Sequence, residues 1–239
     1  DIVEKTAIKV CAAYYAKMPG QRIPFVAQHE ALFADIQALL AAQFPEVPMK
    51  TAWAMYPETV KKAVEELIAQ KVETIVVCDL FPVYSNLEEF NSLFPEIEHA
   101  VAGRAKLIFT PSVGNYASYR GALVQMAADE MEKLPPDTKT LLVLARHGFP
   151  DLKGEPHHEL APAFYDNLKK EVESAVTGHA ATVVFADSEF AGDKDDPENK
   201  LLSTAEALEK GLTEKYDAVV YVLVDFMSEN TDTVFCARD

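Results

Sequence analysis

The chain has 239 residues, of which 49% are apolar and 25% charged, a balance typical of a soluble globular protein. Its formal net charge of −16 argues against a nucleic-acid partner, because affinity for phosphates comes mainly from Lys and Arg. No apolar run approaches the roughly 18 residues of a transmembrane helix, and the start, DIVEKTAIKV, lacks the basic and apolar regions of a secretory signal.

Helix-like and strand-like patterns alternate along the chain. In chain order, the predictions are a helix at 26–42, a weak strand at 49–54, a helix at 57–70, strands at 74–78 and 106–109, a helix at 116–134, a strand at 140–144, a helix at 160–176, a strand at 181–185, a helix at 201–212 and a strand at 218–224. The main strand candidates are continuous runs of Val, Ile and Leu, which are typical of strands buried on both faces of a parallel sheet. Their alternation with helices indicates βαβ units with right-handed crossovers, and therefore an α/β fold.

A Pro-Pro pair divides this pattern. The segment LPPD, residues 134–137, follows a long predicted helix and precedes a predicted strand, which is typical of a linker. The same order of helix, strand and polar loop occurs on both sides of it. We therefore predict two related α/β domains, residues 1–134 and residues 135–239, rather than one doubly wound sheet.

Side chains with acid–base or ligand chemistry follow three of the predicted strands. Open α/β sheets bind their ligands at the carboxyl ends of the strands. The segments at those ends are DLFPVYSN, RHGFP and DFMSENTDT, and they contain Tyr84, Ser85, His147, Glu229 and Asp232. A histidine together with carboxylates is suited to acid–base catalysis and to metal handling.

The same residues also have ordinary structural explanations. A single histidine after a strand is more often a hydrogen-bonded loop residue than a catalyst, and a His-Gly-x-Pro sequence forms a favourable turn. Glu229 and Asp232 share a face only if their segment is helical, and acidic residues at a helix start are often caps. Position alone leaves both explanations open.

The spacing of the three cysteines bears on metal binding and on the redox state of the protein's surroundings. Cys11, Cys78 and Cys236 are far apart and form no CxxC pair. This spacing predicts no cysteine-ligated zinc site and fits a reducing, cytoplasmic setting.

Three segments resemble the ferrochelatase family of the class II chelatase superfamily. VVCDLFPVYSNLEEFNS is similar to the family's strand end with a Leu-Tyr-Pro-x-Tyr-Ser motif, LLVLARHGFP to its Ser-Ala-His-Gly-Leu-Pro motif, and FMSENTDTVFCARD to its Phe-x-Ser-Asp-His-x-Glu-Thr-Leu segment. They occur in the family's order and at fitting distances. The resemblance implies two Rossmann-like, chelatase-type domains with parallel sheets facing a cleft. It also implies insertion of Fe²⁺ into protoporphyrin or coproporphyrin in heme biosynthesis.

The resemblance further implies a role for each candidate residue. His147 falls on the family's histidine and Asp232 on its catalytic glutamate, so both would take ring protons and guide the metal. Glu229 falls on the neighbouring aspartate of the acidic face, and Tyr84 and Ser85 fall on the Tyr-Ser pair near the pocket wall. The implied partners are a tetrapyrrole and a divalent metal. Fe²⁺ would be a substrate, no tightly bound cofactor is expected, and the chain would be a monomer or a dimer.

Two other hypotheses stay open, and departures from the family pattern favour the first of them. Asp232 is one methylene shorter than the family's glutamate, Asn230 replaces a histidine, and the family's arginine falls near Trp53, where no cation is present. These changes favour a non-catalytic relative that binds a tetrapyrrole or a metal. A third hypothesis is a cobalt or nickel chelatase acting on sirohydrochlorin, in which His157 and His158 would reach the metal.

Overall fold

The computed structural model describes residues 25–54, 56–84, 86–147, 160–187 and 201–227. Its α-helices are α1 (Phe25–Gln43), α2 (Pro57–Ala69), α3 (Phe94–Val101), α4 (Ala117–Glu132), α5 (Leu160–Ala175) and α6 (Thr204–Thr213). Its strands are β1 (Thr74–Val77), β2 (Lys106–Phe109), β3 (Thr140–Arg146), β4 (Ala181–Asp187), β5 (Leu202–Ser203) and β6 (Ala218–Leu223). A π-helical segment (Asn86–Leu93) precedes α3, and a short 3-10 turn (Val113–Asn115) precedes α4. All paired strands are parallel, so the α/β fold predicted from the apolar runs is confirmed.

Strands β3 to β6 form the C-terminal sheet, in the order β5-β4-β3-β6. Strand β3 lies between two partners, and residues 141–145 are 0% exposed. Leu142 and Leu144 pack with helices α4 and α5 on one face of the sheet. Leu141 and Val143 pack with α6 on the other face. Burial on both faces explains why this strand is a continuous apolar run rather than an alternating pattern.

Strands β1 and β2 form the N-terminal sheet, with four paired residues in each strand. Ile75 packs against helices α2 and α3, where it meets Val64 and Ile97. On the opposite face, Val76 is 60% exposed and Ile108 is 42% exposed. Within the described ranges, this sheet is therefore covered well on one face only.

Helix α4 precedes the predicted domain boundary but packs on the C-terminal sheet. Its Leu123, Ala127 and Met131 belong to the same buried core as the side chains of β3 and α5. The Tyr119 hydroxyl also donates a hydrogen bond to the carbonyl of Val224, at 3.1 Å. The boundary between residues 134 and 135, and a cleft between facing sheets, stay predictions.

Two local predictions differ from the structure for hydrogen-bonding reasons. Residues 49–54 do not form the weakly predicted strand. There, the Trp53 N–H donates to the Thr59 hydroxyl at 2.9 Å instead of to a neighbouring strand. Helix α6 begins after Ser203, because Ser203 and Glu206 form a reciprocal capping box.

Helix α1 carries many apolar side chains, yet none of its residues is buried. Phe25, His29 and Phe33 contact the ring of Trp53, with centroid distances of 5.6, 5.5 and 5.7 Å. Neither α1 nor any other helix among the described residues is long and apolar enough to cross a membrane.

Candidate functional site

His147 lies at the carboxyl end of the central strand of the C-terminal sheet, directly after Arg146 ends β3. The residue is half-buried. Its backbone N–H donates to Oδ2 of Asp225 at 2.9 Å. Its ring meets the ring of Phe226 edge-on, with the centroids 5.6 Å apart. His147 therefore lies where the sequence predicts it, directly after a strand. This is the end of an α/β sheet at which ligands bind.

Asp225 is the buried partner of His147. Its side chain is 0% exposed, and it follows β6, the strand beside β3. Besides the His147 amide, it accepts a hydrogen bond from the Tyr165 hydroxyl, which lies 2.9 Å from each carboxylate oxygen. Burial raises the pKa of Asp225 to about 6, although its hydrogen bonds and the charge of Arg146 act in the opposite direction.

A buried ion pair completes this end of the sheet. Arg146 binds Asp187 through two hydrogen bonds, Nε to Oδ1 at 2.6 Å and Nη2 to Oδ2 at 2.8 Å. The Arg146 side chain is 16% exposed and that of Asp187 is 1% exposed. The guanidinium also lies over the Tyr165 ring, 4.5 Å from its centroid. Burial disfavours the charge, but the hydrogen bonds and charge of Asp187 outweigh it, so the pKa of Arg146 is raised.

We name these four residues the strand-end network: Arg146, Tyr165, Asp187 and Asp225. Three of them lie at or just beyond the ends of the adjacent strands β4, β3 and β6, and Tyr165 comes from α5. Their polar atoms bind one another and the His147 amide. The described ranges contain no group of three or more His, Cys, Asp or Glu side chains arranged to hold a metal ion. The bond from the His147 N–H to Asp225 connects this network to the backbone of the candidate residue.

Tyr84 lies at the end of the N-terminal sheet. Its hydroxyl donates to the carbonyl of Thr110 at 3.2 Å and lies 3.5 Å from the carbonyl of Asp79. Its ring packs edge-on against Phe90 and Phe94, with centroid distances of 6.2 and 5.3 Å. Burial raises the pKa of Tyr84 to about 12, so the phenol stays protonated and acts as a donor to the backbone.

The segment that carries Tyr84 contacts both cores. Val83 is buried together with Leu123 and Phe164 in the core beside the C-terminal sheet. The next residue, Tyr84, packs into the core beside the N-terminal sheet. The loop after β1 therefore contributes side chains to both cores. The other predicted site residues, Ser85, Glu229 and Asp232, lie outside the described residues, and their roles stay predictions.

A pair of carboxyl groups, those of Asp79 and Glu89, lies near Tyr84. Asp79 is hydrogen-bonded to the side chain of Glu89, which belongs to the π-helical segment and is 3% exposed. The Phe81 N–H donates to Asp79 Oδ1 at 3.1 Å. Burial raises the pKa of Asp79, with the hydrogen bonds acting in the opposite direction. A hydrogen bond between two carboxyl groups needs one proton, so this pair holds a proton over part of the pH range.

The strand-end pattern predicts His147 as a site residue but does not predict the residues that hold it. Arg146 and Asp225 lie inside two of the strand-end segments and are not among the predicted site residues. The available signal was a charged side chain directly after an apolar strand run. Asp187 and Tyr165 carried no comparable signal, because only the strand order and the packing of α5 bring them to Arg146 and Asp225.

Comparisons with known proteins agree with the sequence motifs. A family model described as Ferrochelatase matches residues 1–236. A ferrochelatase from Enterobacter sp. (strain 638) is 33% identical over 115 residues, which is 46% of this chain and 35% of that protein. One from Escherichia coli O9:H4 (strain HS) is 30% identical over 118 residues, 48% of this chain and 36% of that protein. The match spans about a third of the length of these relatives.

One solved structure covers most of the chain. It is described as CbiX, the terminal enzyme for biosynthesis of siroheme in denitrifying bacteria. The superposition covers 89% of this chain and 91% of that chain, with 17% sequence identity and a TM-score of 0.46.

Proposed function

Since the chain belongs to the ferrochelatase family, we propose that it inserts a divalent metal ion into a tetrapyrrole ring. The observation that carries the proposal is the setting of His147 at the carboxyl end of the central strand, with its backbone held by a buried carboxylate. The preferred reactants are Fe²⁺ and protoporphyrin or coproporphyrin, as substrates of heme biosynthesis. The wide spacing of the cysteines supports a cytoplasmic setting for this reaction.

The chemistry requires two protons to leave the ring nitrogens while the metal loses its water and binds to them. A neutral imidazole can take a proton or hold Fe²⁺ for transfer, and it releases the ion more readily than a thiolate cage. We propose that His147 has this role and that Asp232 takes a second proton. Glu229, Tyr84 and Ser85 would contact the ring or line the approach to it. Each metal ion that enters then releases two protons to these bases and to solvent.

Substitution of His147 tests this proposal directly. We expect His147→Ala to lower the rate of metalation by about 10²-fold or more, since a positioned acid–base group contributes roughly 10²–10⁴-fold. Binding of the tetrapyrrole should change little. The measurement is visible absorbance after anaerobic addition of Fe²⁺ or Zn²⁺ to protein with protoporphyrin IX or coproporphyrin III.

The chain offers a matched control at the other end of the same sheet. His179 is also half-buried, but it precedes β4 at the amino end of the strands. We expect His179→Ala to metalate at the wild-type rate. Equal losses in the two variants would contradict a catalytic role for His147.

A non-catalytic relative is the second candidate, favoured by the shortened acid at Asp232. In that case the wild-type protein would bind the tetrapyrrole without raising the metalation rate above that of a protein-free sample. The same assay with sirohydrochlorin and Co²⁺ or Ni²⁺ separates the third hypothesis. His157→Ala/His158→Ala would abolish metalation of that substrate only if the pair handles the metal.

A further inference from the structure

One hydrogen bond joins the two chain segments that carry the proposed catalytic residues. His147 opens the loop after β3, and Asp225 opens the segment after β6 that leads to Asp232. The backbone pairing of β3 with β6 continues to the bond from the Val224 N–H to the Ala145 carbonyl, at 2.9 Å. The next connection is made by a side chain, from the His147 N–H to Asp225 Oδ2, at 2.9 Å. The first residues beyond β3 and β6 are therefore held together at this end of the sheet.

The carboxylate that makes this connection has little freedom to move. Asp225 is fully buried, and the Tyr165 hydroxyl reaches both of its oxygens. Tyr165 is itself 4% exposed, and its ring contacts both the Arg146 guanidinium, 4.5 Å from the ring centroid, and the Phe185 ring, whose centroid is 5.6 Å away. A buried carboxylate needs its hydrogen-bond donors, because water does not replace them. Loss of the Tyr165 donor would let the Asp225 side chain turn away from the His147 amide.

We propose that Asp225, oriented by Tyr165, is a positioning residue that fixes the backbone of His147 at the carboxyl end of β3. This inference rests on the proposed function, because it assigns the geometry needed for metal insertion. Asp225 and Tyr165 are 0% and 4% exposed, so we expect neither to touch the tetrapyrrole. They act through the His147 backbone, and a displacement of about 1 Å at a reacting group can cost about 10²-fold in rate.

Two tyrosines of the same core, whose hydroxyls bind different acceptors, provide the test. Tyr165→Phe removes the hydroxyl that binds Asp225. Tyr119→Phe removes a hydroxyl from the same core, but that hydroxyl binds the carbonyl of Val224 and not Asp225. We expect Tyr165→Phe to lower kcat for metalation by about tenfold or more while the Kd for coproporphyrin III changes by less than about twofold. Tyr119→Phe should keep the wild-type kcat.

A second variant separates positioning from folding. Asp225→Asn keeps an oxygen that can accept from the His147 amide, whereas Asp225→Ala keeps none. We expect Asp225→Asn to retain much more of kcat than Asp225→Ala, with both variants binding coproporphyrin III if folded. Equal kcat in Tyr165→Phe and Tyr119→Phe, or no advantage of Asn over Ala, would overturn the proposal.

An activity-independent readout keeps the two proposals apart. The His147 amide proton resonance should lie at low field because its acceptor is a carboxylate. It should move to higher field in Asp225→Asn and in Tyr165→Phe, and stay in place in Tyr119→Phe. If wild-type protein does not metalate but these shifts occur, the proposed function fails while the anchoring of His147 stands. If the resonance is unmoved in Asp225→Asn, the positioning role is wrong whatever the activity.

Discussion

The regions of the two sheets contain the same kind of ion pair in different environments, one exposed and one buried. Each region has an arginine bound to a carboxylate through two hydrogen bonds. Beside the N-terminal sheet, Arg104 binds Glu65 on the surface, with side chains 40% and 49% exposed. At the end of the C-terminal sheet, Arg146 binds Asp187, with side chains 16% and 1% exposed. The geometry alone does not decide what such a pair contributes, because the cost of an unpaired charge depends on its burial.

The largest difference should appear when each arginine loses its charge. Arg146→Met would leave Asp187 buried without its cation, and removal of one partner from a buried pair typically costs about 3–5 kcal/mol. Arg104→Met would leave Glu65 in contact with water, so we expect little loss of stability. Urea denaturation of the two variants measures both effects. Similar losses would mean that burial does not distinguish the pairs.

A further variant would test whether the charge itself is needed at the strand-end network. Replacing both partners, as Arg146→Met with Asp187→Leu, should restore most of the stability lost in the single variant, because no charge is left uncompensated. If the double variant is no more stable than Arg146→Met, packing rather than charge explains the loss.

A smaller effect is expected where the two regions meet. The Gly114 N–H donates to the carbonyl of Pro82 at 2.9 Å. A Cβ added to Gly114 would lie 2.3 Å from that oxygen and 3.0 Å from the Phe164 ring. Gly114→Ala should therefore force the loop after β1 away from the C-terminal sheet, at a cost of about 1–3 kcal/mol.

Gly121 is the matched control for this substitution. It lies in helix α4, and an added Cβ would meet nothing within 4 Å. Gly121→Ala should leave stability unchanged or raise it by up to about 1 kcal/mol, since alanine favours the helix. Thermal unfolding compares the two variants, and equal midpoints would show that the contact between the regions tolerates a shift.

The smallest effect concerns the carboxyl pair of the N-terminal region. Burial raises the folded-state pKa of Asp79 above its ordinary value of 3.8. Protonation of Asp79 therefore stabilises the folded state, and this contribution is fully present below pH 3.8. It is lost as the pH rises through the raised pKa. Glu89→Gln supplies an amide donor to Asp79 without a titrating proton, so stability near neutral pH should rise by about 1 kcal/mol.

The pH dependence supplies the check on this prediction. Denaturation measured at a series of pH values from 3.8 upwards should show a smaller fall in stability in Glu89→Gln than in the wild type. Glu98→Gln removes the same charge from an exposed position of α3 and should keep the wild-type difference. If both variants behave alike, the effect comes from net charge and not from the carboxyl pair.

Much of the fold followed from local patterns. The apolar runs predicted the strands, because a strand buried on both faces must be apolar throughout. The family motifs identified the chain, and the family match confirms that resemblance. Val76 and Ile108 show the limit of this reasoning, since they belong to apolar runs yet are exposed in the described structure. The pattern predicts a strand but does not say how much of each face is covered.

The strands, the family and the place of His147 at a strand end follow from the amino-acid sequence, because each depends on residues that are neighbours in the chain. The residues that hold His147 are brought to it by the folded structure. Arg146 and Asp187 are separated by 41 positions, and His147 and Asp225 by 78, yet both pairs are in contact. The strand order β4-β3-β6 brings their ends together. Hydrogen bonds and charge interactions depend on distance in space, and spacing along the chain does not give that distance.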